Sequence, residues 1–381
     1  MILKHYLGLS LLLLTGCGGT QDHRGHFTPS PNTSKNLAQE VSKEQTGSQI
    51  PVFLTSHLEP DIQHLWVKLY SVEILTGQAA THPWQSQEGE WIDLAALKND
   101  HPLSMYLGSG NIPMHQSVKR ILIALDRQYY TEHQHKKWQQ QEFKASENDR
   151  KGHHMVGVTL TPHDKVSPTE PLTLQVQLKQ PYDNYLELSH LYISLVHPKP
   201  VTNADRQAPA FLSGITDTVA GMGAQLHFNL NIGEHQFVRI SSDAKTNIFN
   251  DQGEPNLLVS NHQQVMLQGA YHVSQNALVP DWIRILPKKT SQDSKIYGTL
   301  KEFKLGMPTL LVQPHYLSGL TPSAGLIHVR FSDHLIAINS KGIKLSETEL
   351  IKTLKTPVKL LIEGTFNSKD KLFHASWIKL D

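Results

Sequence analysis

Val265-Met266-Leu267-Gln268-Gly269-Ala270-Tyr271, followed by Trp282-Ile283-Arg284-Ile285, returns later in the chain as Leu360-Leu361-Ile362-Glu363-Gly364-Thr365-Phe366, followed by Trp377-Ile378-Lys379-Leu380. Each passage reads as an apolar strand, a polar residue, a glycine, a small residue and an aromatic, then a turn and a Trp-Ile-basic-apolar strand. The upstream halves correspond as well. Ser213-Gly214-Ile215 precedes Leu226-His227-Phe228-Asn229-Leu230, and Tyr297-Gly298-Thr299-Leu300 precedes Leu310-Leu311-Val312, with Gly214 and Gly298 about 84 residues apart. That period is too long for a solenoid unit and fits tandem domains. Residues 210–286 and 295–381 are therefore expected to be two copies of a small β-barrel, each of roughly five or six short strands. A glycine inside an apolar strand marks a bend or a close backbone approach, so Gly269 and Gly364 suit the sharp coiling of such a barrel. Trp282 and Trp377 are expected to be structural, sealing the barrel ends, with a ligand-stacking face as the alternative.

Working upstream, residues 51–205 also read as β-structure. Leu65 to Leu75 alternates in polarity, Gly89 to Leu94 forms a second strand leading into Ala95-Ala96-Leu97, and Val118 to Leu125 is a more apolar, central strand. Leu172 to Leu178 alternates again, and Leu188 to Val196 is a further apolar run. Several short strands separated by turn signals predict a sandwich. Arg127 to Gly152 is highly polar and is expected to be a surface excursion with a helical turn or two. The fold class is thus mainly β.

Two resemblances follow from these motifs. Val72-Glu73, Trp91 to Leu97, Ile112-Pro113 and Arg120 to Leu122 resemble the pattern of domain of unknown function, family 4382, over roughly residues 51–125 and more loosely to 197. Where that family has Gly-x-Tyr, this chain has His115-Gln116-Ser117. The resemblance implies a bacterial lipoprotein with a transthyretin-like β-sandwich and brings no catalytic residues. The repeated module resembles domain of unknown function, family 5666. That implies two small OB-like barrels of a kind that often occurs in tandem in secreted proteins. Such barrels bind nucleic acids and sugars, but a fold alone assigns no function.

The chain start reads as an address. Lys4 supplies a positive charge, and Leu7 to Leu14 is an apolar run far shorter than the ~20 residues that span a bilayer. It ends in Leu14-Thr15-Gly16-Cys17, which matches a lipobox: residues 1–16 are expected to be a lipoprotein signal peptide and Cys17 the lipidated residue. Cys17 is the single cysteine, which explains an odd thiol in a secreted chain. Gly18 in place of an aspartate favours the outer membrane. Residues 17–50 are polar and rich in Gly, Ser, Thr, Gln and Pro, the composition of a flexible tether.

Composition removes some function classes. Among 381 residues there are 35 basic and 34 acidic side chains, a formal net charge of +1, so no overall field gathers nucleic acid, and none is expected as a partner. No G-x-S-x-G, H-E-x-x-H or P-loop pattern occurs, and Ser189 and Ser318 sit in neither a G-x-S-x-G nor a Ser-x-x-Lys frame. Gly221-Met222-Gly223 reads as a turn between strands, and Ser346-Glu347-Thr348-Glu349 as the cap and first turn of a helix through Leu354. Histidine is abundant, at 23 residues. His133-x-His135 and His153-His154 lie in or near the polar stretch, and a pair two apart on an extended segment could share zinc or copper. The alternative is a solvated loop with no cofactor. The expectation is a non-enzymatic, membrane-anchored envelope lipoprotein with a binding or structural role. Its partner would be an unknown envelope protein or a glycan. Glycan binding would need Trp66, Trp84, Trp91 or another aromatic on an accessible face, and metal handling would need the histidines to converge.

Overall fold

The computed structural model describes residues 47–381, apart from 78–79, 99–102, 114–115, 135, 144–151, 160–170, 180–189, 197–206, 234–235, 257, 288–292, 305–308 and 355–356. The signal peptide, Cys17 and almost all of the expected tether lie outside the described residues. Gly47–Asp381 is one compact unit, and no helix among the described residues is long and apolar enough to cross a membrane.

The first strand, β1 (Gly47–His57), begins inside the stretch expected as tether, because Ile50, Val52 and Leu54 are buried on one side of it. Then follow β2 (Ile62–Leu75), β3 (Ala80–Asp93), β4 (Ser104–Pro113), β5 (Arg120–His133), β6 (Lys136–Glu142), β7 (His154–Thr159), β8 (Leu172–Lys179), β9 (His190–Val196) and β10 (Gln207–Ala208). They form two facing layers. One is a five-stranded sheet in the order β10-β4-β1-β8-β9; the other contains β3-β2-β5, with β6 and β7 both paired to β5. Leu54 and Val176 of the first layer meet Val67, Leu69, Ile92 and Ile123 of the second. This is a β-sandwich. The expected helical excursion after Arg127 is instead the end of β5 and a hairpin into β6. The reason is period-two burial: Tyr129, Thr131 and His133 are all turned inward.

The two repeats are closed barrels of one topology. The first comprises β11 (Ala210–Ala220), β12 (His227–Gly233), β13 (Gln236–Ser241), β14 (Asn247–Asn250), β15 (Gln264–His272) and β16 (Ala277–Ile285). The second comprises β17 (Ser294–Lys304), β18 (Thr309–Ser318), β19 (Ile327–Ile338), β20 (Lys344–Leu345), helix α1 (Glu347–Thr353), β21 (Lys359–Asn367) and β22 (Leu372–Leu380). In each ring the first long strand pairs antiparallel with the second and fourth, and the third closes the ring by pairing parallel with the fifth. Ser346 caps α1 and forms a capping box with Glu349. The glycines explain the coiling. A Cβ on Gly269 would lie 2.2 Å from the Val279 carbonyl oxygen, and one on Gly364 would lie 2.0 Å from that of His374. The crossing strand therefore passes where any side chain would stand. Asn276 and Lys371, at matching places in the turn before the last strand, both take left-handed backbone, with φ of 48° and 56°.

The modules interlock. Tyr316, Leu317 and Ser318 of β18 pair antiparallel with Ile92, Trp91 and Glu90 of β3, so the second barrel and one sandwich layer share an eleven-stranded sheet. The barrels meet through equivalent residues. Trp282 and Trp377 approach with ring centroids 6.2 Å apart. Arg284 lies 4.0 Å over the Trp377 ring, and Lys379 lies 5.4 Å over the Trp282 ring. Both tryptophans are buried, and they meet each other between the barrels. On these strands Ile283 and Ile378 turn the other way.

Candidate functional site

A groove of about 1070 Å³ lies between the sandwich and the second barrel. The barrel supplies the β18–β19 connection (319–326) and the turn at 368–371; the sandwich supplies Lys68 on β2 and Glu88-Gly89 on β3. The sandwich wall exists because β3 bulges. Leu69 faces Glu90 and Ser71 faces Gln85, so residues 86–89 stand outside the ladder opposite the single Tyr70. Gly89 permits this, with φ of 70° and the Tyr70 ring 2.8 Å from where its Cβ would be.

The lining mixes apolar groups, hydroxyls and positive charge. Phe366 is 47% exposed and Trp91 contributes an edge while 5% exposed. Ser294, Thr321 and Ser323 add hydroxyls, and Lys68, His328 and Lys371 stand against the single carboxylate of Glu88. Lys68 lies 5.2 Å from the Tyr70 ring centroid. Among the described residues neither Lys68 nor Lys371 pairs with a carboxylate, and His328 hydrogen-bonds to no groove hydroxyl. The groove thus presents positive charge, hydroxyls and apolar surface side by side.

Behind the groove, polar clusters tie the modules together. His64 Nδ1 lies 2.6 Å from Asp93 Oδ2, and Asp93 Oδ1 also accepts from the backbone of Leu65 and Ala95. The Gln313 amide approaches the other His64 nitrogen at 3.4 Å, and Thr299 Oγ1 lies 2.9 Å from His315 Nε2. Burial works to lower the His64 pKa. The Asp93 hydrogen bond and charge, with Glu132 beyond, outweigh it and hold that pKa above the ordinary value. His315 is the opposite case. Burial pushes it down to about 4, with Lys359, His64 and Lys301 acting in the same direction against Asp93. A Thr–His contact is present, but the carboxylate orients the other histidine, so this is not a nucleophile–base–acid relay. Between the barrels, Arg284 donates to Glu363 at 2.6 Å and to Asp251 at 3.0 Å.

The histidines singled out by sequence are placed separately. His133 ends β5, is buried, and pairs with Asp61 at 3.0 Å. His153 packs on Tyr70 with centroids 4.1 Å apart, and His154 stacks on Phe143 at 4.8 Å. His154 pairs with Leu125, eight residues before His133 on β5, so the described histidines do not converge. His135 lies outside the described residues. Among the described residues no group of three or more His, Cys, Asp or Glu is arranged to hold a metal. Trp66, Trp84 and Trp91 are 1%, 7% and 5% exposed, so none offers the open face that glycan stacking was expected to need. The groove residues Lys68, Lys371 and Phe366 were not singled out in the sequence. The one signal for Phe366 was its place in the repeat, opposite Tyr271 of the first copy.

Comparison with protein families, with curated proteins and with solved structures gives no match for this chain.

Proposed function

We propose that this protein is a non-enzymatic lipoprotein of the bacterial cell envelope, anchored by lipid on Cys17, that binds another envelope component through the groove between its sandwich and its second barrel. The groove carries the binding half of this reading. It is large enough to enclose a ligand, its charge is unbalanced toward positive, and its side chains suit holding rather than transforming. The lipobox Leu14-Thr15-Gly16-Cys17 supports the anchoring half, since two or more acyl chains hold a protein stably at a bilayer.

The test is fractionation of cells fed an alkyne-tagged fatty acid. Wild-type protein should sediment with the outer membrane carrying the tag, and Cys17→Ser should lose the tag and leave the membrane pellet. Tag-free wild type, or a Cys17→Ser variant still held at the membrane, would overturn the anchored reading.

A further inference from the structure

The two barrels act as each other's control at one position. Tyr271 and Phe366 are counterparts, each two residues after the coiling glycine of the fourth long strand. Tyr271 is 2% exposed because the sandwich covers it. Its ring stacks on Tyr106 with centroids 4.6 Å apart and meets Phe53 edge-on at 6.0 Å. Its backbone is clamped by one side-chain amide: Gln207 Oε1 accepts from the Tyr271 N–H at 2.9 Å, and Gln207 Nε2 donates to its carbonyl at 2.8 Å. Extended chain thus fills this place on the first barrel, with an aromatic ring from β4 and an amide from β10. On the second barrel Phe366 is 47% exposed and opens into the groove. The two connections between the second and third long strands differ as well. The first barrel uses 234–235 and the second uses 319–326, which forms a wall of the groove.

From this we infer that the groove at Phe366 is a docking site for an extended, acidic segment of a partner protein that presents an aromatic side chain to Phe366. The inference rests on the binding reading above and names its ligand class. The aromatic requirement comes from what covers Tyr271. Aromatic pairs add about 0.5–1.5 kcal/mol beyond the area they bury. The acidic requirement comes from Lys68 on the sandwich wall and Lys371 on the barrel wall of the same groove, which have no carboxylate partner among the described residues. Extended chain is a standard guest of β-rich surfaces, where main-chain bonds give affinity and side-chain pockets give selectivity.

The experiment places a photo-crosslinking phenylalanine analogue at position 366 of the full-length, lipidated protein in its own cells. The same analogue at Met222, exposed on the first barrel, serves as control. Irradiation should give a protein adduct from position 366 and not from 222. The linked peptide should carry an aromatic residue with acidic neighbours. The double change Lys68→Glu and Lys371→Glu should reduce that adduct at least tenfold, whereas Lys245→Glu on the exposed first barrel should leave it unchanged. Thermal melting of each variant checks that the fold is retained. An adduct to polysaccharide or lipid, an adduct indifferent to the double charge reversal, or none at all would overturn the inference. The tagged-lipid fractionation is read on the same cells. If anchoring holds and the adduct fails, only the ligand class falls; if anchoring fails, the broader reading falls with it.

Discussion

Two half-buried histidines pull the stability of this protein in opposite directions with pH. His64 has its pKa raised by Asp93, so its contribution is complete below about pH 6.5 and is lost as pH rises through the raised value. His315 stays neutral in the fold, with its pKa down to about 4, whereas the unfolded chain takes up a proton below about 6.5. It therefore costs stability as pH falls between those values. Urea unfolding across pH separates the two. The advantage of wild type over His64→Gln should shrink as pH rises from about 6.5 through the raised value. His315→Gln should gain on wild type between about pH 6.5 and about pH 4.5, by on the order of 1 kcal/mol per pH unit. Differences that stay flat with pH would remove these assignments. None of this pairing was legible beforehand. His64 and Asp93 are 29 residues apart, and His64 and Gln313 are 249 apart. Only the folded register makes them neighbours. Of the histidines that did stand out, His133, His153 and His154 each found a private partner.

At the level of elements the chain was far more readable. Alternation marked β2 and β8, the repeated motif marked the long strands of both barrels, and glycines in matching frames marked where those strands coil. Both signals are local consequences of a two-residue side-chain period and of a missing Cβ. The hairpin of β5 and β6 was missed because its polar Gln, Lys and Glu residues masked the alternating burial of Tyr129 and Thr131. The coiling argument makes a prediction of its own. Gly364→Ala sets a Cβ against the His374 carbonyl oxygen at 2.0 Å, a clash with backbone that no rotamer relieves. It should cost about 1–3 kcal/mol, measured as a lowered urea midpoint with an unchanged slope. Gly364→Ala as stable as wild type would show that the strand crossing can relax.

The sequence divided the molecule into a sandwich and two barrels, whereas the β18–β3 pairing runs one eleven-stranded sheet across the sandwich and the second barrel. What it could not convey is how tightly they are joined. The β3–β18 pairing and the Trp282–Trp377 contact are made between segments that each look complete alone, so no local pattern announces them. The groove was hidden for the same reason: Lys68, Glu88 and Phe366 meet only after the modules do. The barrel junction should be coupled to global stability. Arg284→Met leaves Glu363, 8% exposed, without its main partner, and such breakage of a buried pair costs about 3–5 kcal/mol. Adding Glu363→Leu should recover most of the loss, since an apolar replacement of both partners is often neutral. Chemical denaturation of the single and double variants measures this. No recovery in the double variant would mean that Asp251 and Lys295, the other charges at the junction, depend on Glu363 being present.

The reciprocal seating of Arg284 on Trp377 and of Lys379 on Trp282 is the contact two identical barrels would make if they met face to face. Here both faces are carried on one polypeptide. Pairing that would otherwise depend on two molecules colliding becomes intramolecular, at an effective concentration set by the short linker between the barrels. The paired state then survives dilution, and a protein present in few copies per cell still arrives with its two barrels already mated.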